Sequence, residues 1–273
     1  MSDKKQFYSD DELVIRLWDK ENVRDTMSRF CYYLTNNERR RILNELFVQR
    51  FDNRKTASIG VNNGYYVGWE SISNWFVVKY EERQYEALQS YVDAGIAEKS
   101  SLDLGLGQMH TFTANTTLVE VADDGMTAQY LALNCGNLSI GHGDGKADDY
   151  ITNGSYCADL IKEGDEWKIW KLKFQHDATT SVAFSGHVAE IRPPQPKDAE
   201  DVHMNIEPPK APPEVYIGPD PVAELFGEPD VPVVSYMPKY GWTFLPEQMP
   251  WPYEYYDSRK GFGPEGQHEY VLR

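Results

Sequence analysis

A chain of 273 residues, 41% of them hydrophobic, is long enough for one large domain or two small ones with a sizeable core. Its formal net charge of -16 repels phosphate backbones and anionic lipid, so neither nucleic acid nor a membrane is expected as a partner. Cys31, Cys135 and Cys157 are odd in number, widely spaced and outside any Cys-x-x-Cys or Cys/His cluster, which argues for reduced thiols and against structural zinc.

The first residues, MSDKKQFYSDDE, carry no apolar stretch of a signal peptide, and no run approaches the roughly 18 apolar residues that span a bilayer; a cytoplasmic protein is expected. Leu13, Leu17, Val23, Met27, Phe30, Cys31 and Leu34 recur near helical spacing and predict an amphipathic helix over 10–35. Asn36 and Asn37 interrupt it, and a shorter helix follows over 38–48 with Ile42, Leu43, Leu46 and Phe47 inward. The period then changes. Residues 56–61 and 65–69 read as a hairpin around Asn62-Asn63-Gly64. A third helix over 70–93 places Ile72, Phe76, Tyr80, Leu88 and Val92 on one face, and Gly95 ends it.

Strands are predicted over 108–121, 127–140, 149–162 and 166–176, with turns at Asp123-Asp124-Gly125 and Gly164-Asp165. The loop Gly141-His142-Gly143-Asp144-Gly145-Lys146 reads as a turn and not a phosphate cradle, because no helix follows it. Beyond about 190, Pro193, Pro194, Pro196, Pro208, Pro209, Pro212 and Pro213 oppose regular structure. Yet 236–256 holds Tyr236, Tyr240, Trp242, Phe244, Trp251, Tyr253, Tyr255 and Tyr256, too aromatic for a disordered tail. The expectation is a domain over 1–185 and an extended arm over 186–273 that packs on its own subunit or a neighbour. The fold class is α+β: a cone-shaped curved antiparallel sheet, bent by bulges or glycines, with three N-terminal helices enclosing an apolar pocket.

Several motifs in order carry a resemblance. They are Phe30-Cys31-Tyr32-Tyr33-Leu34, then Gly64-Tyr65-Tyr66-Val67-Gly68-Trp69-Glu70-Ser71-Ile72, then Met109-His110-Thr111, then Tyr156-Cys157-Ala158-Asp159-Leu160-Ile161-Lys162 with Glu166-Trp167-Lys168-Ile169-Trp170. Over 13–178 the chain resembles SnoaL-like proteins of the nuclear-transport-factor-2-like superfamily. Its tail resembles a long subgroup that includes cofactor-independent lyases removing formaldehyde from lignin-derived diaryl compounds. The wider family includes isomerases, dehydratases, cyclases and non-catalytic members, so the fold alone does not settle the activity. Many family dehydratases carry a Tyr and an Asp five residues apart on the first helix; Phe30 and Thr35 stand there in this chain. The resemblance further implies a homodimer or homotrimer.

His110 is the leading candidate for proton transfer, because it matches the family's strand histidine and imidazole titrates near neutrality. Asp159 is a candidate to orient it or act as a base, and Tyr156, three residues earlier, points to the opposite face of an ideal strand. One of Tyr32 and Tyr33 is expected to face the sheet and hydrogen-bond a substrate oxygen. Trp69 and Phe76 are candidate pocket walls, with Asn134 and His176 as further substrate contacts. No HExxH, Walker loop or dinucleotide fingerprint occurs, so neither metal nor cofactor is implied. The expected activity is a lyase reaction, deformylation or dehydration, on a hydrophobic aromatic or polycyclic small molecule. An isomerase or cyclase with the same pocket, a non-catalytic small-molecule binder and an assembly protein are the alternatives.

Overall fold

The computed structural model describes residues 8–61, 64–97, 109–141, 147–181, 227–232 and 249–266. Helix α1, Asp10–Thr35, starts from Ser9, whose side chain and that of Glu12 cap each other's backbone N–H groups. Short α2, Arg39–Arg41, runs into a π-helical turn, Ile42–Leu46. Next comes α3, Phe51–Thr56, a turn not expected from the sequence. Strands β1, Ser58–Val61, and β2, Gly64–Val67, form the first hairpin, and α4, Trp69–Ser73, leads through a second π-helical turn, Asn74–Val78, into α5, Lys79–Asp93. The long strands β3, Met109–Val121, β4, Thr127–Gly141, β5, Ala147–Glu163, and β6, Glu166–Ser181, follow, and β7, Val231–Pro232, comes from the arm.

These strands make one curved, unclosed sheet in the order β3-β4-β5-β6-β1-β2-β7. All neighbours run antiparallel except β1 and β6, which pair in parallel. The ladder slips between Asn115 and Leu118, where Thr116 takes φ 51°, and again at Asn153/Gly154 and Asp159/Leu160. Such bulges bend a strand and increase its twist. The architecture is the expected α+β cone: N-terminal helices laid over one face of a bent sheet.

Alternation sorts the strand residues by face. Ala128, Tyr130 and Ala132 of β4 and Tyr156, Ala158 and Leu160 of β5 point toward the helices and join Val23, Met27, Phe30 and Phe76 in the core. The first turns of α1 depart from the expected apolar face, with Leu13 43% and Leu17 66% exposed. Polar contacts hold that end instead. Arg16 donates to the carbonyls of Val121 and Ala122, and Lys20 reaches Glu120. Buried Asp19 accepts hydrogen bonds from Trp167 Nε1 (2.9 Å) and Lys162 Nζ (2.7 Å).

The described parts of the arm lie on this same chain. β7 pairs with β2, and Asp230 accepts from the Val67 N–H and the Ser71 hydroxyl. Residues 249–266 cross the sheet face opposite the helices. There Tyr253 reaches Thr127, and Tyr256 packs on Trp170 with ring centroids 5.0 Å apart.

Candidate functional site

Three segments far apart in sequence converge beside the open end of α1. Helix α1 stops at Thr35, and Asn37 takes φ 61°, a left-handed conformation that asparagine tolerates better than most residues. That turn reverses the chain and aims Arg39, the first residue of α2, back under α5. The π-helical turn before α5 sets Phe76 and Tyr80 against it; single π turns inside helices recur at functional sites. β3 brings His110 and Phe112 on its inward face, tied to α1 by the Phe112 N–H donating to Thr35 Oγ1 at 3.2 Å.

The contacts between these groups are tight. The Arg39 guanidinium lies 3.6 Å over the Tyr80 ring and 4.7 Å from the Phe76 ring. The Tyr80 hydroxyl sits 3.1 Å from His110 Nδ1 and 3.2 Å from Nε2, and the His110 ring packs edge-on to Phe112 at 6.0 Å. Burial, reinforced by the Arg39 charge, pushes the His110 imidazole down to about 3, so it stays neutral across the physiological range. Burial also raises the Tyr80 phenol, against the pull of Arg39 in the other direction. The pair is therefore a neutral imidazole joined to a neutral phenol beside a fixed cation.

A cavity of about 300 Å³ opens on the Arg39 and Tyr80 side of this cluster, lined further by Asn37, Arg40, Glu81, Gln84 and Tyr85; His110 lies behind Tyr80, outside its lining. Its lining is mostly polar. The sheet's inner face is filled by aromatic side chains instead: Phe30, Tyr156 and Phe174 pack edge-on or tilted at 5.3–5.9 Å.

Of the residues singled out from sequence, His110 and Phe76 lie in this cluster. Asn134 and Tyr156 share the inward face farther along the sheet. The Asn134 Oδ1 and the Tyr156 hydroxyl are both enclosed without a hydrogen-bond partner among the described residues, and burial raises the Tyr156 phenol well above its ordinary value. Tyr32 does not face the sheet; it is 72% exposed. Tyr33 donates to Glu45 (2.8 Å) and accepts from Arg41 (2.7 Å) in a solvent-facing network. Trp69 lies under the Arg54 guanidinium at 3.9 Å, at the start of α4.

Asp159 sits on the opposite face of the sheet from His110, fully buried beneath the arm. No bulge falls between Tyr156 and Asp159, so their three-residue spacing keeps them on opposite faces. The side chain of His176 lies outside the described residues, as do Asn62, Asn63, the loop 142–146 and most of the arm. Arg39 and Tyr80 were not singled out from sequence as site residues. The one hint was the run Arg39-Arg40-Arg41 placed immediately after a helix-breaking Asn-Asn pair.

No family model matches the chain, and no curated protein matches it. Solved structures similar to it include the hexachlorocyclohexane dehydrochlorinase LinA-type3 from Novosphingobium barchaimii (13% identity, 63% of this chain and 94% of that chain, TM-score 0.42). Others are a nuclear transport factor 2-like superfamily protein from Salmonella enterica (12% identity, 62% and 94%, TM-score 0.38) and the Kfla4162 protein from Kribbella flavida (12% identity, 63% and 97%, TM-score 0.41).

Proposed function

We propose that the chain is a lyase that uses the His110–Tyr80 pair for proton transfer on an aromatic small molecule in the adjoining pocket, needing no redox or metal cofactor for the step. The hydrogen bond between these two neutral groups, with Tyr80 at the wall of a solvent-open cavity and His110 behind it, is the observation that carries this reading. Loss of a small neutral molecule requires one group to take a proton and another to return one. In dehydration a C–H proton passes to the pair and the departing hydroxide is protonated to water. In deformylation the proton of a hydroxymethyl O–H passes to the pair, the C–C bond breaks to release formaldehyde, and the carbanion left behind takes a proton back. Tyr80 lines the pocket and relays to His110, and the Arg39 cation beside the phenol favours its ionised form during transfer. In this reading residues 1–185 form the catalytic domain and 186–273 the arm.

The test is a screen of the full chain against diaryl, phenolic and steroid compounds without added cofactor, first by thermal shift and then by assay of formaldehyde or alkene formation. Ligands of the folded state raise the melting temperature, by about 2.7 kcal/mol of stabilisation at a hundredfold excess over Kd. Product from any shifting compound supports the reading; binding without turnover points to a non-catalytic binder. The assembly expected of the native protein is a homodimer or homotrimer. Light scattering at micromolar concentration should give two or three times the 31.4 kDa chain mass, and a monomer would contradict it.

A further inference from the structure

Arg39 has no acidic partner among the described residues. Its neighbour Arg40 pairs with Glu81 at the pocket rim, Nε to Oε1 at 2.6 Å, so Arg39 is the unneutralised charge of that wall. Its Nη1 bond to the Phe76 carbonyl is long at 3.5 Å, the Tyr80 side chain also hydrogen-bonds it, and its enclosed Nε has no partner. The adjacent Asn37 Oδ1 is likewise enclosed without a partner. A guanidinium set among aromatic rings with no carboxylate partner and an enclosed, unbonded Nε is an unusual state, because unneutralised charge away from water is costly and enclosed donors are normally satisfied. The rings of Tyr80 and Phe76 fix the position of the guanidinium, and its in-plane N–H edges are the geometry that suits a planar carboxylate.

We propose that this pocket binds a small aromatic acid, with the ligand carboxylate on Arg39 and its ring against Tyr80 and Tyr85. The inference deepens the lyase reading, resting on it only for the role of His110, and assigns its substrate class. A cavity of about 300 Å³ holds a one- or two-ring compound. The chain's overall charge of -16 does not prevent it, since charges beyond roughly 8 Å are screened at physiological salt. A carboxylate at Arg39 also has an electrostatic consequence. It neutralises the cation that, after burial, holds the His110 imidazole down, with Tyr80, Arg40 and Glu81 as the other titratable groups nearby. Substrate binding thus makes His110 a stronger base.

The probes are benzoate and its neutral isostere benzamide, titrated into the full chain by calorimetry at pH 7. Benzoate is expected to bind at least roughly tenfold tighter, and Arg39→Gln to erase that preference while leaving benzamide unchanged. In the wild type at pH 7, where benzoate is ionised, saturating benzoate should shift the His110 ring resonances and benzamide should leave them in place. Equal affinities, no benzoate binding up to about 10 mM, or a preference that survives Arg39→Gln would overturn the proposal and leave Arg39 as a cation–π anchor between helices. If Arg39→Gln fails to fold, the wild-type measurements at pH 7 decide alone: equal affinity for benzoate and benzamide, or His110 resonances unmoved by saturating benzoate, overturns it. Benzoate binding with no turnover of any aromatic acid would keep this site and remove the lyase reading. Turnover of neutral compounds with no benzoate preference would do the reverse.

Discussion

Asp159→Ala is expected to destabilise the protein by about 3–5 kcal/mol, the usual cost of breaking a buried charged network from one side. Its carboxylate is fully buried. It accepts from the Tyr256 hydroxyl (2.8 Å), the Phe262 N–H (2.8 Å) and Gln129 Nε2 (3.3 Å). It also stands directly opposite Lys171, which is itself buried and paired with Glu265 at 2.8 Å. Asp159 and Lys171 are thus two cross-strand neighbours gripping residues 256–265 of the arm. The fit is close enough that a Cβ on Gly261 would lie 2.5 Å from Asp159 Oδ2. Alanine leaves the phenol and the N–H without an acceptor, and at roughly 2–4 °C per kcal/mol the melting temperature should fall by about 6–20 °C.

Asp159→Asn keeps an acceptor and should cost less than half as much. Burial raises the Asp159 carboxyl, only partly opposed by Tyr256, Phe262, Lys171 and Gln129. A carboxyl raised on folding contributes stability below its unfolded value near 3.9, and that contribution is lost as pH rises through the folded value. The asparagine variant lacks this loss, so its stability relative to wild type should improve as pH rises through and above the carboxylate range. Denaturant unfolding of both variants measures this directly. An alanine variant as stable as wild type would mean that the arm is held elsewhere.

The second large effect concerns chemistry. On the lyase reading, His110→Ala and Tyr80→Phe should each lower kcat/KM by about 10²–10⁴, the range for losing a positioned acid–base group. Tyr80→Phe is the cleaner variant, because the phenylalanine ring still stacks on Arg39 and only the hydroxyl is lost. With the imidazole held to about 3, the free enzyme should show no inflection from His110 in kcat/KM between pH 5 and 8. A wild-type inflection near 6.5 that disappears in His110→Ala would show an imidazole neither buried nor shadowed by Arg39. Undiminished turnover in both variants would remove the pair from the mechanism.

Helix and strand positions were legible because each is written locally. The repeat from Val23 to Leu34 and the alternation of β4 and β5 record which residues one partner surface will bury. The helix face failed at Leu13 and Leu17, where Arg16 and Lys20 make the cross-chain contacts and apolar spacing loses its meaning. Short α3 was missed because six residues carry too little periodicity to separate helix from loop.

The site divides in the same way. Strand parity places Tyr156 and Asp159 on opposite sides unless a bulge falls between them, and the ladder carries none there. Which of the two faces the helices depended on how the whole sheet bends and on where the arm comes to rest, so only the tertiary structure decided it. His110 was visible as a titratable group in a strand. Its partners were not, because Arg39 and Tyr80 lie 71 and 30 residues away in sequence and meet it only through the turn at Asn37 and the π-helical turn before α5. Local pattern fixes which surfaces are buried; the juxtaposition of charge, phenol and imidazole is a property of the packed chain, set by contacts that no short window of sequence contains.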